Sequence, residues 1–206
     1  LPIGCDVPET IILADGDFPS HPLALEWLRQ CPYVVCCDGA ANTYIRSGRM
    51  PEAIVGDGDS LLPDIKERYA SLIHSEAEQE TNDLSKAFRF CLSQERKRIT
   101  IMGATGKRED HTIGNVSLLA DYMEQAEVSM MTDYGIFVPI REDSMFESYI
   151  GQQISVFNMN STALSAEGLA YPLSVFTNWW QGTLNEALAR HFIIRTEGKV
   201  LVFRVF

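Results

Sequence analysis

Acidic residues recur in this chain just after short apolar runs, flanked by glycine. Asp57 and Asp59 lie in Pro51–Ser60, PEAIVGDGDS, directly after Ala53-Ile54-Val55. Asp38 follows Tyr33–Cys37, and Asp15 and Asp17 follow Thr10–Ala14. Asp83 opens an amphipathic stretch. Carboxylates at this spacing suit a hard divalent cation such as Mg²⁺, which takes one or two carboxylates together with substrate phosphates. Glycine beside them lets a phosphate or ion approach the backbone. A second stretch, Gly103 to His111 (GATGKREDH), sets Lys107 and Arg108 on a glycine-bearing loop ahead of a helix. Exposed N–H groups, a favourable dipole and two cations make an anion cradle. It is not the Walker A pattern, because Arg108 follows Lys107 where Ser or Thr is needed. Asp110 is placed to anchor Arg108 or cap the helix, and Asp83 to cap its own helix.

The elements that must carry these groups alternate. Apolar runs at 10–14, 33–37, 53–55, 72–74, 99–102 and 128–131 read as strands. Helical segments lie between them; Leu84, Ala87, Phe88, Cys91 and Leu92 form one apolar stripe. Pro22 suits the first turn of a helix, and Gly48 a helix end. This alternation predicts an α/β unit, a parallel sheet with helices on both faces, whose ligands bind beyond the carboxyl ends of the strands. Asp15, Asp38, Asp57, Asp59 and the Gly103–His111 loop would then meet on one edge. After about residue 140 short β-type runs dominate: 153–157, 173–176, 191–195 and 199–205, with 185–189 as a short helix. Glu197-Gly198 suits a tight hairpin turn between the last two runs. The expected organisation is an α/β domain over 1–138 and a smaller antiparallel β-sandwich or barrel over 139–206.

Bulk properties narrow the function. The chain has 206 residues, 46% hydrophobic and 22% charged, as in an ordinary globular protein. Its net charge of −11 argues against a nucleic-acid backbone or an anionic membrane as partner. No apolar run approaches the roughly 20 residues of a membrane span, and no signal peptide is visible. The start at Leu1 rather than Met suggests a trimmed or processed terminus. Five cysteines without a Cys-x-x-Cys pair fit a reducing, cytoplasmic setting, with Cys36 and Cys37 as core thiols.

Taken in order, these segments resemble the thiamine pyrophosphokinase family. Asp38–Asn42 resembles its DGGAN-type segment, Pro51–Ser60 its P-x-x-I-x-G-D-x-D-S, and QETNDLSK (79–86) its Q-x-x-T-D-x-x-K. Gly103–His111, with Asn115 following, is similar to G-A-x-G-G-R-x-D-H. Gly168–Leu173 is similar to G-L-x-W-P-L, and Thr183–Glu186 to a late S-x-S-N-E. The resemblance implies diphosphoryl transfer from ATP to the hydroxyl of thiamine by a homodimer, with AMP as by-product. It implies Asp38, Asp57, Asp59 and Asp83 as Mg²⁺ ligands, and Asp57, Asp59, Asp83 and Gln79 at the reacting centre. Around ATP it sets Asp38, Gly39, Asn42, Ser60, Lys86, Gly103, Lys107, Arg108, Asp110 and His111. Tyr171, Thr183 and Asn185 fall to a thiamine pocket between subunits. Departures from the pattern are Asn82 for Thr, Lys107 for the second Gly, Tyr171 for Trp and Leu184 for Ser. Two competing expectations are a thiamine- or nucleotide-binding module with a degraded site, and a phosphatase with Asp15 as nucleophile.

Overall fold

The computed structural model describes residues 6–76, 78 and 80–206. Six parallel strands form its centre: β1 (Thr10–Leu13), β2 (Val34–Cys37), β3 (Ala53–Gly56), β4 (Ile73–Ser75), β5 (Arg98–Met102) and β6 (Glu127–Met131). β1, β2 and β3 are buried on both faces, which is why they read as unbroken Ile/Val/Leu/Cys runs rather than as alternating ones. One face packs α4 (Asp83–Ser93) and α5 (Glu109–Tyr122) through Leu84, Phe88, Cys91, Leu119 and Tyr122. The other packs α1 (Pro22–Gln30), α2 (Ala40–Arg46) and α3 (Pro63–Arg68) through Trp27, Leu28, Tyr44 and Ile65. Phe88 stacks on Tyr122 at 3.9 Å between ring centres, tying α4 to α5. Pro22 is in the first turn of α1, where its missing N–H costs nothing. Gly48 ends the α2 segment at φ +83°.

Across the sheet the order is β6-β5-β1-β2-β3-β4. Chain order therefore reverses between β1 and β5, and a crevice opens there beyond the strand ends.

The second half extends this sheet. β7 (Gly135–Ile140) pairs antiparallel with β6, and β13 (Val200–Val205), β9 (Gln153–Asn158) and β11 (Asn185–Glu186) continue it to ten strands. A three-stranded sheet of β10 (Leu164–Glu167), β12 (His191–Thr196) and β8 (Ser144–Glu147) covers that extension. The two layers enclose a core of Phe146, Ile154, Val156, Phe192, Ile194, Val200 and Val202, a β-sandwich.

Three local expectations are corrected. Residues 185–189 are not helical: Asn185–Glu186 is the edge strand β11, because its backbone finds partners on β9. Residues 173–176 lie outside any strand; Leu173 is buried in the sandwich core without joining a ladder. Glu197-Gly198 does not close a hairpin between paired strands, because β12 and β13 belong to different sheets. The turn carries the chain from one layer to the other, so the alternating apolar residues of the two strands face each other across the core. Two short strands, β8 and β10, had no separate signal in the sequence.

Candidate functional site

Beyond the carboxyl ends of the parallel strands lies a cavity of about 520 Å³. Asp15 and Gly16 after β1, Asp57 after β3, Asp83 and Lys86 on α4, and Lys107, Arg108 and His111 around the start of α5 line it. Acids and cations are mixed along its wall, with Lys86 paired to Asp83 and Lys107 to Asp15.

The acidic cluster is built around Gly56. Its φ of +153° is a glycine conformation, and a Cβ there would lie 2.9 Å from the Asp38 Cβ and 3.4 Å from the carboxyl carbons of both Asp38 and Asp83. Bare backbone at this position lets the two carboxylates approach. Asp38 is itself left-handed, at φ +33°, and buried. Its Oδ2 accepts from the Ser60 N–H at 3.1 Å, while its Oδ1 is buried with no hydrogen-bond partner. Burial, reinforced by the neighbouring Asp57 and Asp83 charges against the Ser60 N–H, pushes the Asp38 carboxyl up to about 6. Asp57 is held below its ordinary value, chiefly by the Asp59 N–H, which donates to its Oδ1 at 2.9 Å.

These residues fit a divalent cation. A buried carboxylate oxygen without a partner, beside two further carboxylates, is a hard donor set that wants a positive charge. Among the described residues no three acidic, imidazole or thiol groups form a finished metal cage. Neither Asp38 nor Asp59 lines the cavity itself: Asp38 is buried beside Asp57, and Asp59 is exposed and acts here through its backbone N–H.

The other expected residues divide by position. Lys86 is buried, with its Nζ 3.3 Å from Asp83 Oδ1. Asn42 and Ser60 serve the backbone: Asn42 donates to the Ser60 carbonyl at 2.8 Å and accepts from Leu62 N at 3.0 Å, pinning the acidic loop to α2. Gly39 packs where a Cβ would strike the Asp15 carboxylate, at 2.5 Å. Gln79 lies outside the described residues. The cap of α4 is Asn82, not Asp83: its side chain accepts from Ser85 N at 2.9 Å. Asn82 also donates to Asn115 at 3.0 Å, and Asn115 donates to the Ala104 carbonyl at 2.8 Å, so α4 is tied to the cationic loop.

In the cationic loop, Gly103 has φ +66° and packs its Cα against the Ala14 carbonyl. Gly16 N donates to the Gly103 carbonyl at 2.6 Å and Asp17 N to the Thr105 carbonyl at 2.9 Å. The Asp15-Gly16-Asp17 turn thus straps the loop. Lys107 Nζ reaches the Asp15 carbonyl at 2.9 Å and its carboxylate at 3.2 Å. Arg108 is gripped two-pronged by Asp110, at 3.1 and 2.6 Å, and this pairing holds the Asp110 carboxyl below its ordinary value. Both cations keep N–H groups free to turn towards an anion in the cavity. Asp15, Thr105 and Thr112 line the cavity as well, and the signal for Asp15 was its place at a strand end.

Tyr171, Thr183 and Asn185 do not line this cavity. Asn185 is buried, and its carboxamide is spent on the chain: Oδ1 accepts from Tyr171 N at 3.0 Å and Glu186 N at 2.9 Å, and Nδ2 donates to the Tyr171 carbonyl at 2.9 Å. Thr183 Oγ1 donates to the Trp180 carbonyl at 2.7 Å. Tyr171, Trp180 and Leu184 are exposed beside the edge strand, Leu184 in the left-handed region at φ +64°. Trp179 packs edge-on against Phe157.

A doubly wound sheet with acidic and basic side chains gathered at its switch point, continued into a β-sandwich, defines an α/β protein with its candidate site at the strand ends. The model of the thiamin pyrophosphokinase catalytic domain matches residues 24–131, and that of the thiamin pyrophosphokinase substrate-binding domain matches 135–203. The chain belongs to the thiamin pyrophosphokinase family. It is similar to thiamine pyrophosphokinase 1 of Oryza sativa subsp. japonica, 30% identical over 129 residues, covering 50% of this chain and 49% of that one. With the Bacillus subtilis thiamine pyrophosphokinase it is 34% identical over 86 residues, 40% of each chain. The chain thus spans about half or less of the length of these curated relatives. The solved B. subtilis thiamine pyrophosphokinase superposes with a TM-score of 0.79 at 20% identity, covering 95% of this chain and 98% of that one. The yeast enzyme gives 0.79 at 16% identity, over 98% and 88%. At such identities the likeness is one of fold. Neither a phosphatase nor a degraded binding module finds support in these matches, and the Asp15 carboxylate is already engaged by Lys107.

Proposed function

We propose that this chain is a Mg²⁺-dependent thiamine pyrophosphokinase that transfers the diphosphoryl group of ATP to the hydroxyl of thiamine, releasing AMP. The observation that carries the reading is one cavity lined by Asp57, Asp83 and Lys86 together with Lys107, Arg108 and His111, in a chain of this family. Asp38, Asp57 and Asp83 would hold Mg²⁺, which when bound neutralises and orients the polyphosphate. Arg108, steadied by Asp110, and Lys107 face the phosphate oxygens, and the amino end of α5 adds its N–H groups. The thiamine oxygen attacks the β-phosphorus, and the bond to the α-phosphate oxygen breaks, leaving AMP. Asp83 lines the cavity and Asp59 does not, which favours Asp83 as acceptor of the hydroxyl proton. The chain's work is positioning and charge stabilisation.

The thiamine side rests on Tyr171, Thr183 and the exposed Trp180 and Leu184, with Asn185 fixing Tyr171 from behind. These residues lie apart from the acid-lined cavity, which fits a homodimer in which one copy's β-sandwich edge meets the other's phosphate cleft. A cytoplasmic setting fits the free thiols of Cys31, Cys36, Cys37 and Cys91. Among the described residues no helix is long and apolar enough to cross a membrane.

The test is AMP formation from ATP and Mg²⁺, with and without thiamine. AMP and thiamine diphosphate appearing together, only when both substrates are present, is the expected result. AMP formation indifferent to thiamine, or thiamine bound without turnover, would overturn the reading.

A further inference from the structure

Lys86 is a lysine that the fold buries among acids. It stands on the first turns of α4 with 3% of its surface exposed, and its side chain lines the cavity. A buried ammonium is costly unless paired, so its place needs a reason. Its Nζ binds one oxygen of Asp83 at 3.3 Å, and Asp57 lines the same cavity. The cavity's other long cations are engaged elsewhere: Lys107 with Asp15, and Arg108 with Asp110. In the acidic cluster, among the described lining residues, Lys86 alone carries a positive charge.

We propose that Lys86 is the built-in countercharge of the acidic cluster, standing where a second divalent cation would otherwise bind, so that the site takes one divalent ion. An ammonium is a compact point charge with three donors, suited to bridging Asp83 and a phosphate oxygen. As a positioning residue it holds one oxygen of Asp83. This inference deepens the proposed function and rests on the same site.

The test counts ions directly. Mn²⁺, detected by electron paramagnetic resonance, is titrated into the whole chain, wild type, Lys86→Met and Lys86→Arg. The titration is run without nucleotide and with a non-hydrolysable ATP analogue. Without nucleotide, Lys86→Met is expected to bind Mn²⁺ about tenfold more tightly than wild type, because one nearby positive charge is gone. With the analogue, wild type and Lys86→Arg take one Mn²⁺ per complex and Lys86→Met takes two. Two ions in the wild-type complex overturn the proposal, as does unchanged or weaker Mn²⁺ binding in a folded Lys86→Met. Should Lys86→Met fail to fold, the wild-type count still decides. A merely structural lysine would leave the Lys86→Met complex with one Mn²⁺ or fewer. The functional reading fails separately: a chain that binds one Mn²⁺ yet makes no AMP loses its assigned activity and keeps this countercharge.

Discussion

Asp38 carries a carboxylate that the fold buries beside Asp57 and Asp83, and Asp38→Asn reads out what that burial costs. In the native chain its carboxyl is pushed from 3.8 to about 6. The unfolded group ionises near 3.8, so between these values the native state binds the extra proton and stability falls as pH rises. Above about pH 6 the penalty is complete. A difference of about two pH units corresponds to about 3 kcal/mol, at about 1.4 kcal/mol each. Solvent reaching the cleft screens part of this, leaving about 1.5 kcal/mol. Asparagine suits the left-handed backbone at this position and keeps an oxygen for the Ser60 N–H. Urea unfolding in a chelator at about pH 8 is therefore expected to show Asp38→Asn more stable than wild type by about 1.5 kcal/mol, with roughly half that gain at about pH 5. Added Mg²⁺ and ATP should then stabilise wild type and leave the variant nearly unmoved. A variant no more stable at the higher pH, or a gain that does not shrink at the lower, would refute the reasoning.

Gly56→Ala places a methyl 2.9 Å from the Asp38 Cβ on a backbone at φ +153°, so a loss of about 2 kcal/mol in urea unfolding and collapse of AMP formation are expected. Asn82→Ala removes the cap of α4 and its bond to Asn115; the expected cost is about 1 kcal/mol by thermal melting, with a raised KM for ATP as the cationic loop loosens. Burial raises the Cys36, Cys37 and Cys91 thiols, Cys91 to about 12. Among the described thiols an aromatic disulfide reagent should thus titrate the half-buried Cys31 first and the other three only in denaturant.

The parallel half of the fold was legible because its central strands are buried on both faces and its helices on one. Val34–Cys37 and the Leu84–Leu92 stripe each announce their state without help from distant residues. The β half was less so. β11 is two residues long and exists only because β9 lies beside it, and β12 and β13 alternate alike though they join different sheets. Local pattern reports which face is apolar, not which strand supplies the hydrogen bonds. In the site, strand-end position brought Asp15, Asp57 and Lys107 to one cavity from sequence alone, while Asp83 at the start of α4 was singled out by the family resemblance. It could not reveal that Asn185 spends its amide on Tyr171, nor that Asn82 caps α4 in place of Asp83. Those are matters of a few ångströms, decided by which neighbour the tertiary fold delivers.

Residues 131–135 join the segments matched by the two family models, yet the hydrogen-bond ladder runs through that join from β6 to β7. A cut there would not separate a pair of globules; it would unzip a sheet. The amino-terminal fragment would end in the raw edge of β6, a ready template for aggregation. Exchange of the carboxyl-terminal segment between relatives works only where Met130 still meets Phe137 and Met131 still meets Ile136, because a slip of one residue turns every side chain to the wrong face. The seam makes the two segments heritable together, and a recombinant gene that ignores it should yield inclusion bodies rather than a hybrid enzyme.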